Sequence, residues 1–141
     1  VMTPPDEASS SDDGYLTASE AAALTLSADW VVLSACNTAG PADGGSNESL
    51  SGLARAFFFA GARSLLVSHW PVLDTVGAAI TSETFRIKAA HPDLSRAEAL
   101  QLALRGIRSG TSVLGDAIPG WEPSWADPWA WAPFSLIESG S

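Results

Sequence analysis

The sequence predicts an α/β fold, a parallel sheet whose strands are joined by crossover helices. Three observations carry this expectation. Two short apolar segments, "ADWVVLSA" and "SLLVSHW", have strand length and end at loop residues. Each is followed by a stretch with apolar residues at helical spacing. A third apolar segment, "WAPFSLIE", lies near the end of the chain. The order strand, helix, strand, helix, helix, strand is that of crossover connections over a parallel sheet.

Taken in order, residues 1–14, "VMTPPDEASSSDDG", are Pro, Ser and acid with little to bury, and read as a flexible loop. Residues 15–141 hold everything else. Thr17 and Glu20 form a capping box, in which each side chain satisfies an orphan backbone donor of the other, so a short helix is expected from there to near Thr25. A buried strand follows over Trp30–Ala35. "GPADGGSNES", residues 40–49, is a loop by composition. In "LSGLARAFFFAGA" the residues Leu50, Leu53, Ala54, Phe57 and Phe58 fall on one helical face, with Gly61 placed to stop the helix. The strand 64–70 is cut off by Pro71. A helix is expected over Asp74–Ala90, and another begins at a second capping box, Ser95 with Glu98, and closes at Gly106 or Gly110. Residues 111–129, rich in Gly, Pro and Trp, read as irregular. Residues 131–138 read as the terminal strand, with Pro133 at its start or on an edge.

A chain of 141 residues is one domain's worth and is long enough for a real core. Its mean hydropathy of +0.14 fits a globular protein. The net charge of −9 argues against nucleic acid as a partner, because phosphate binding needs clustered Lys and Arg. No apolar run reaches the roughly 18 residues of a membrane span, and Val1-Met2-Thr3-Pro4-Pro5 is not a signal-peptide start. The single cysteine cannot form an internal disulfide, so a reducing cytoplasm is the expected compartment.

The residues with chemistry to offer are few. Cys36 and His69 each stand at the carboxyl end of an expected strand, where sites form in parallel sheets. Cys36 is either a small buried hydrophobe, as most free cysteines are, or a thiol nucleophile at the sheet rim whose own backbone N–H helps hold an oxyanion. His69 is either packed beside Trp70 and bonded locally or a base. His91, in a helix-ending loop before Pro92, reads as a solvated surface residue. Trp121, Trp125, Trp129 and Trp131 read as packing a long loop onto the domain.

"ADWVVLSACNTAG", "ESLSGLARAFFFAGARSLLVSHWPV", "RAEAL" and "WAPFSLI" together resemble the CHAT domain. This is a caspase-like cysteine peptidase family of bacteria, often attached to TPR repeats. The resemblance runs from about Leu16 onward, in the family's order. It implies a caspase-like parallel-sheet sandwich, here without its N-terminal strand–helix elements. Cys36 matches the family's catalytic cysteine, the thiol that attacks a peptide carbonyl. The family's base is a histidine in a "THG"-type motif ahead of that cysteine, and neither histidine of this chain precedes Cys36. His69 lies where the family does not place its base, so it reads as structural or substrate-lining. Asp74 falls where the family carries acids after "WPV". It is either an acid that receives a basic P1 side chain or the N-cap of the 74–90 helix. Asp127 stands where the family more often has histidine, and nothing explains that change.

The resemblance therefore implies a peptidase-type domain whose base is absent from these 141 residues, with no metal or organic cofactor. The expected partners are a peptide or protein substrate, with a basic P1 residue, and an N-terminal TPR or sensor region. The alternative is a caspase-like scaffold that binds peptides or partners without cleaving them. A phosphate-binding role for "GPADGGSNES" is set aside, because the loop lacks the lysine of a P-loop.

Overall fold

The computed structural model describes residues 16–33 and 48–139. The expected flexible loop 1–14, the end of the first strand and most of the loop 40–49 lie outside the described residues, and so does Cys36. The elements are α1 (Ala18–Ala23), β1 (Val31–Leu33), α2 (Glu48–Phe59), β2 (Ser64–Ser68), α3 (Asp74–Ala90), α4 (Arg96–Ser109), a 3₁₀ turn (Pro123–Ala126), α5 (Pro128–Trp131) and β3 (Phe134–Glu138). Among the described residues no helix is long and apolar enough to cross a membrane.

The sheet has the order β1-β2-β3, with β2 in the middle. All five residues of β2 are buried, because this strand is covered on both faces. Side chains alternate across a strand, and the two cores follow that alternation. Leu65 and Val67 pack with Ala21, Ala54 and Phe57, from α1 and α2, and with Val31, Leu33 and Ile137. Leu66 points the other way, into a core with Val76, Ile80, Leu100, Ile107, Trp125 and Phe134, and Val32 and Leu136 join it there. The sheet thus lies between a layer of α1 and α2 and a layer of α3 and α4, a mixed α/β architecture.

β1 and β2 are parallel, with Leu33 opposite Val67, as the crossover through α2 predicts. The expectation of an all-parallel sheet does not hold. β3 runs antiparallel to β2, with Phe134 opposite Ser68 and Glu138 opposite Ser64. The reason lies in the connection. One crossover helix carries the chain back to the start of the sheet, as α2 does. After β2 there are two long helices, α3 and α4, joined by the short segment 91–95. The second reverses the direction of the first and returns the chain to the end of the sheet where β2 finished. β3 must then enter from that end, and the backbone N–H of His69 meets the carbonyl of Pro133 at 3.0 Å.

Both capping boxes form as expected, Thr17 with Glu20 and Ser95 with Glu98. α1 stops at Ala23, short of Thr25, because Leu24 is already extended and the N–H of Leu26 donates to Ala60 O at 2.6 Å. α4 closes at Gly110 in the left-handed conformation, and Gly106 stays inside the helix. β2 ends at Ser68, so His69 and Trp70 lie beyond the strand, and Pro133 immediately precedes β3.

The tryptophan-rich segment packs onto the domain. Trp125 is buried in the core, and Trp121 Nε1 donates to Ile107 O at 2.6 Å. The guanidinium of Arg108 stands 4.9 Å from the centre of the Trp131 ring.

Candidate functional site

The candidate site lies around the carboxyl ends of β1 and β2, the position where parallel strands present side chains and loops to ligand. Cys36 follows Leu33 by three residues in the sequence and belongs to the undescribed segment. The site is therefore built here from its described surroundings: β1, the exit of β2 and the start of α3.

His69 is exposed, just past β2. Its Nε2 lies 2.9 Å from Ser135 Oγ on β3. The expectation of purely local bonding beside Trp70 is thus replaced by a tie across the sheet. Trp70 is itself fixed by donating from Nε1 to Trp129 O at 3.1 Å. His91 is exposed at the end of α3, as expected.

Asp74 is also exposed, but the structure assigns it a different place from the N-cap. The cap of α3 is Leu73, with no side-chain hydrogen bond, and Asp74 is the first helical residue. Leu73 is itself extended, with φ −62° and ψ 137°. The turn then closes through the backbone, with Val76 N–H and Gly77 N–H both donating to Leu73 O at 3.0 Å. The cap falls on Leu73, and the Asp74 carboxylate is released from capping. It makes no ion pair or hydrogen bond among the described residues.

Asp74 instead lines a cavity of about 400 Å³. The walls come from Val32 of β1, from Val72 and Leu73, and from Gly77 and Thr81 on α3. A single carboxylate sits among apolar and hydroxyl groups, at the positive end of a 17-residue helix. The arrangement can hold a cationic side chain by its charged tip while the aliphatic stem rests on Val32, Val72 and Leu73.

The structure does not bring His69 and Asp74 to one place. His69 turns to Ser135 on β3, whereas Asp74 shares its cavity with Val32 on β1, the strand on the opposite side of β2. Of the two, Asp74 is on the side of the strand that leads to Cys36. Sequence reasoning missed Thr81 and Ser82 as lining residues, although their spacing of seven and eight from Asp74 puts them on the same helical face. It also missed Ser135 as the partner of His69, since a pairing across 66 positions leaves no local signal. Among the described residues no group of three or more His, Cys, Asp or Glu is placed to hold a metal ion.

No curated protein and no solved structure matches this chain. A family model does match, over residues 1–141, and its description is CHAT domain.

Proposed function

Because the chain belongs to the CHAT domain family, we propose that it carries the nucleophile of a caspase-like cysteine endopeptidase and that its fold is the caspase-like sandwich. Cys36 is the nucleophile. Its thiolate attacks the peptide carbonyl, the backbone N–H of Cys36 contributes to the oxyanion hole, and the C–N bond breaks as the amine leaves with a proton. Water then releases the acyl group and restores the thiol.

The base that takes the thiol proton is neither of this chain's histidines. His69 is engaged with Ser135 on the far side of β2, and His91 ends α3 after 17 helical residues. The protein works in the cytoplasm, and a TPR or sensor region gates it.

The observation that carries the substrate side of this reading is the uncapped Asp74 carboxylate in a cavity walled by Val32. It supports a basic P1 side chain, Arg or Lys. His69, pointed elsewhere, serves the sheet rather than the substrate.

The test is cleavage of Arg-containing peptides by the intact protein with its activator. Cys36→Ala is expected to abolish it. Asp74→Asn is expected to lower kcat/KM for Arg substrates by about tenfold to a hundredfold, the scale of one charge-assisted contact. Cleavage that survives Cys36→Ala overturns the reading.

A further inference from the structure

Two cavities flank α3. Ala78 and Ser82 line both, so only the ridge they form on the helix separates them. The Asp74 cavity opens toward Val32. The second, of about 410 Å³, opens toward the segment that runs from Ile118 to Trp125. Ile118 and Trp125 line it at 4 % and 2 % exposure, with Ala79 beside them, so its inner surface is apolar.

The polar groups at its wall define what else it accepts. Glu83 is buried and has both oxygens engaged. Oε1 accepts from Ser112 Oγ, and Oε2 accepts from Arg86 at 2.9 Å. Arg86 donates a second bond to Asp116 at 2.6 Å. A guanidinium has about five N–H donors, so Arg86 keeps donors free for a carbonyl oxygen. Its charge, however, is already matched by Glu83 and Asp116. Across the opening, Glu122 is exposed and has no ion-pair partner among the described residues. The net field is negative. An anion is repelled, whereas an apolar side chain on a neutral or cationic backbone is accepted.

We infer that this cavity is a second subsite for the same peptide, taking an apolar side chain from a segment whose basic residue lies against Asp74. The inference rests on the reading of Asp74 as the receptor for that basic residue. Continuity through Ala78 and Ser82 lets one chain cross the ridge. Arg86, on the cavity wall, keeps N–H donors for the carbonyls of that chain, and Glu122 favours a basic flank. The specificity of this protein is then set by two side chains, one basic and one apolar.

The test is binding, measured by fluorescence anisotropy on the chain carrying Cys36→Ala, so that no peptide is turned over. The probes are labelled decapeptides with a central Arg or Ala, and with Leu or Ala at each of the four positions on either side. One placement of Leu is expected to tighten binding about tenfold, the scale of burying one aliphatic side chain. Thr75 is exposed and lines only the second cavity, so Thr75→Trp should remove that gain and leave the preference for Arg intact. Asp74→Asn should do the reverse. Thermal melts of each variant establish that it folds. Glu122→Lys, on the opposite rim, should weaken the Leu and Arg peptide about threefold at low salt and gives a second route to the same answer. If no placement of Leu is distinguished from Ala while Arg is still preferred, the subsite is overturned and the Asp74 reading stands. If Leu is recognised without any preference for Arg, the coupling between the two cavities is overturned.

Discussion

His69 Nε2 and Ser135 Oγ lie 2.9 Å apart, a bond that ties the exit of β2 to β3. Together with the bond from His69 N–H to Pro133 O, it anchors the start of β3 to the end of the central strand. The imidazole is thereby committed to the sheet, on the side away from β1.

His69→Ala should therefore behave as a structural change and not as loss of a base. It removes one exposed hydrogen bond and is expected to cost about 0.5–1.5 kcal/mol in urea denaturation. The rate at which iodoacetamide alkylates Cys36, the only cysteine in the chain, should keep the same pH profile. A shift of that profile in His69→Ala, absent from Ser135→Ala, would show that the imidazole polarises the thiol.

Glu83 is a buried charge, at 2 % exposure, and it links α3 to the loop that follows α4 through Ser112. Glu83→Ala leaves the Ser112 hydroxyl without its acceptor, although it still accepts from Leu114 N–H at 3.0 Å, while Arg86 retains Asp116. The expected cost is about 1–3 kcal/mol, below the figure for breaking a fully buried pair, because Arg86 is 41 % exposed. Chemical denaturation of the variant measures it. Ser112→Ala should cost less, since the carboxylate keeps Arg86.

Two glycines, one in the turn before β2 and one inside α2, should respond in opposite directions to alanine. Gly61 has φ +106°, and a Cβ there would collide with the Leu26 carbonyl oxygen, which belongs to the backbone. Gly61→Ala is expected to cost about 2–4 kcal/mol by straining the turn and pushing α1 off α2. Gly52 lies within α2 with nothing within 4 Å of its would-be Cβ. Gly52→Ala should stabilise by about 0.5–1 kcal/mol. Thermal melting of the pair decides both, and equal effects would contradict the turn geometry.

The features legible in the sequence were those set by neighbours along the chain. Capping boxes at Thr17 and Ser95, a stop at Gly106 or Gly110 and a strand over 64–70 each depend on residues a few positions apart; the structure closes the helix at Gly110 and ends the strand at Ser68. The direction of β3 was not legible, because it depends on counting reversals through α3 and α4, and apolar content says nothing of strand polarity. The cap at Leu73 was misread for a related reason. Aspartate is a favoured cap residue, but the backbone carbonyl of the extended Leu73 closes the first turn without any side-chain cap. That same displacement leaves the Asp74 carboxylate outside the cap, on the wall of the cavity. The placement of His69 against Ser135 required the fold.

The capping box of α4 makes a prediction about pH. Hydrogen bonds from the Ser95 side chain first, and from the Ser95 backbone second, hold the Glu98 carboxyl below its ordinary value; Lys88 adds a smaller push in the same direction. A carboxyl with a depressed folded value binds its proton less readily in the folded state than in the unfolded one. Its contribution to stability is therefore complete above the unfolded carboxylate value and is lost as pH falls through the lower folded value. Glu98→Gln keeps a side chain that can accept a hydrogen bond but cannot titrate. The variant should melt lower than the parent at neutral pH, and the gap should close on acidification through that window. An NMR titration of the Glu98 side chain should place its midpoint below the ordinary glutamate value. A gap that stays constant from neutral to acid pH would show that the bonds to Ser95 do not favour the ionised form, and the box would then be an arrangement of shape without linkage to protons.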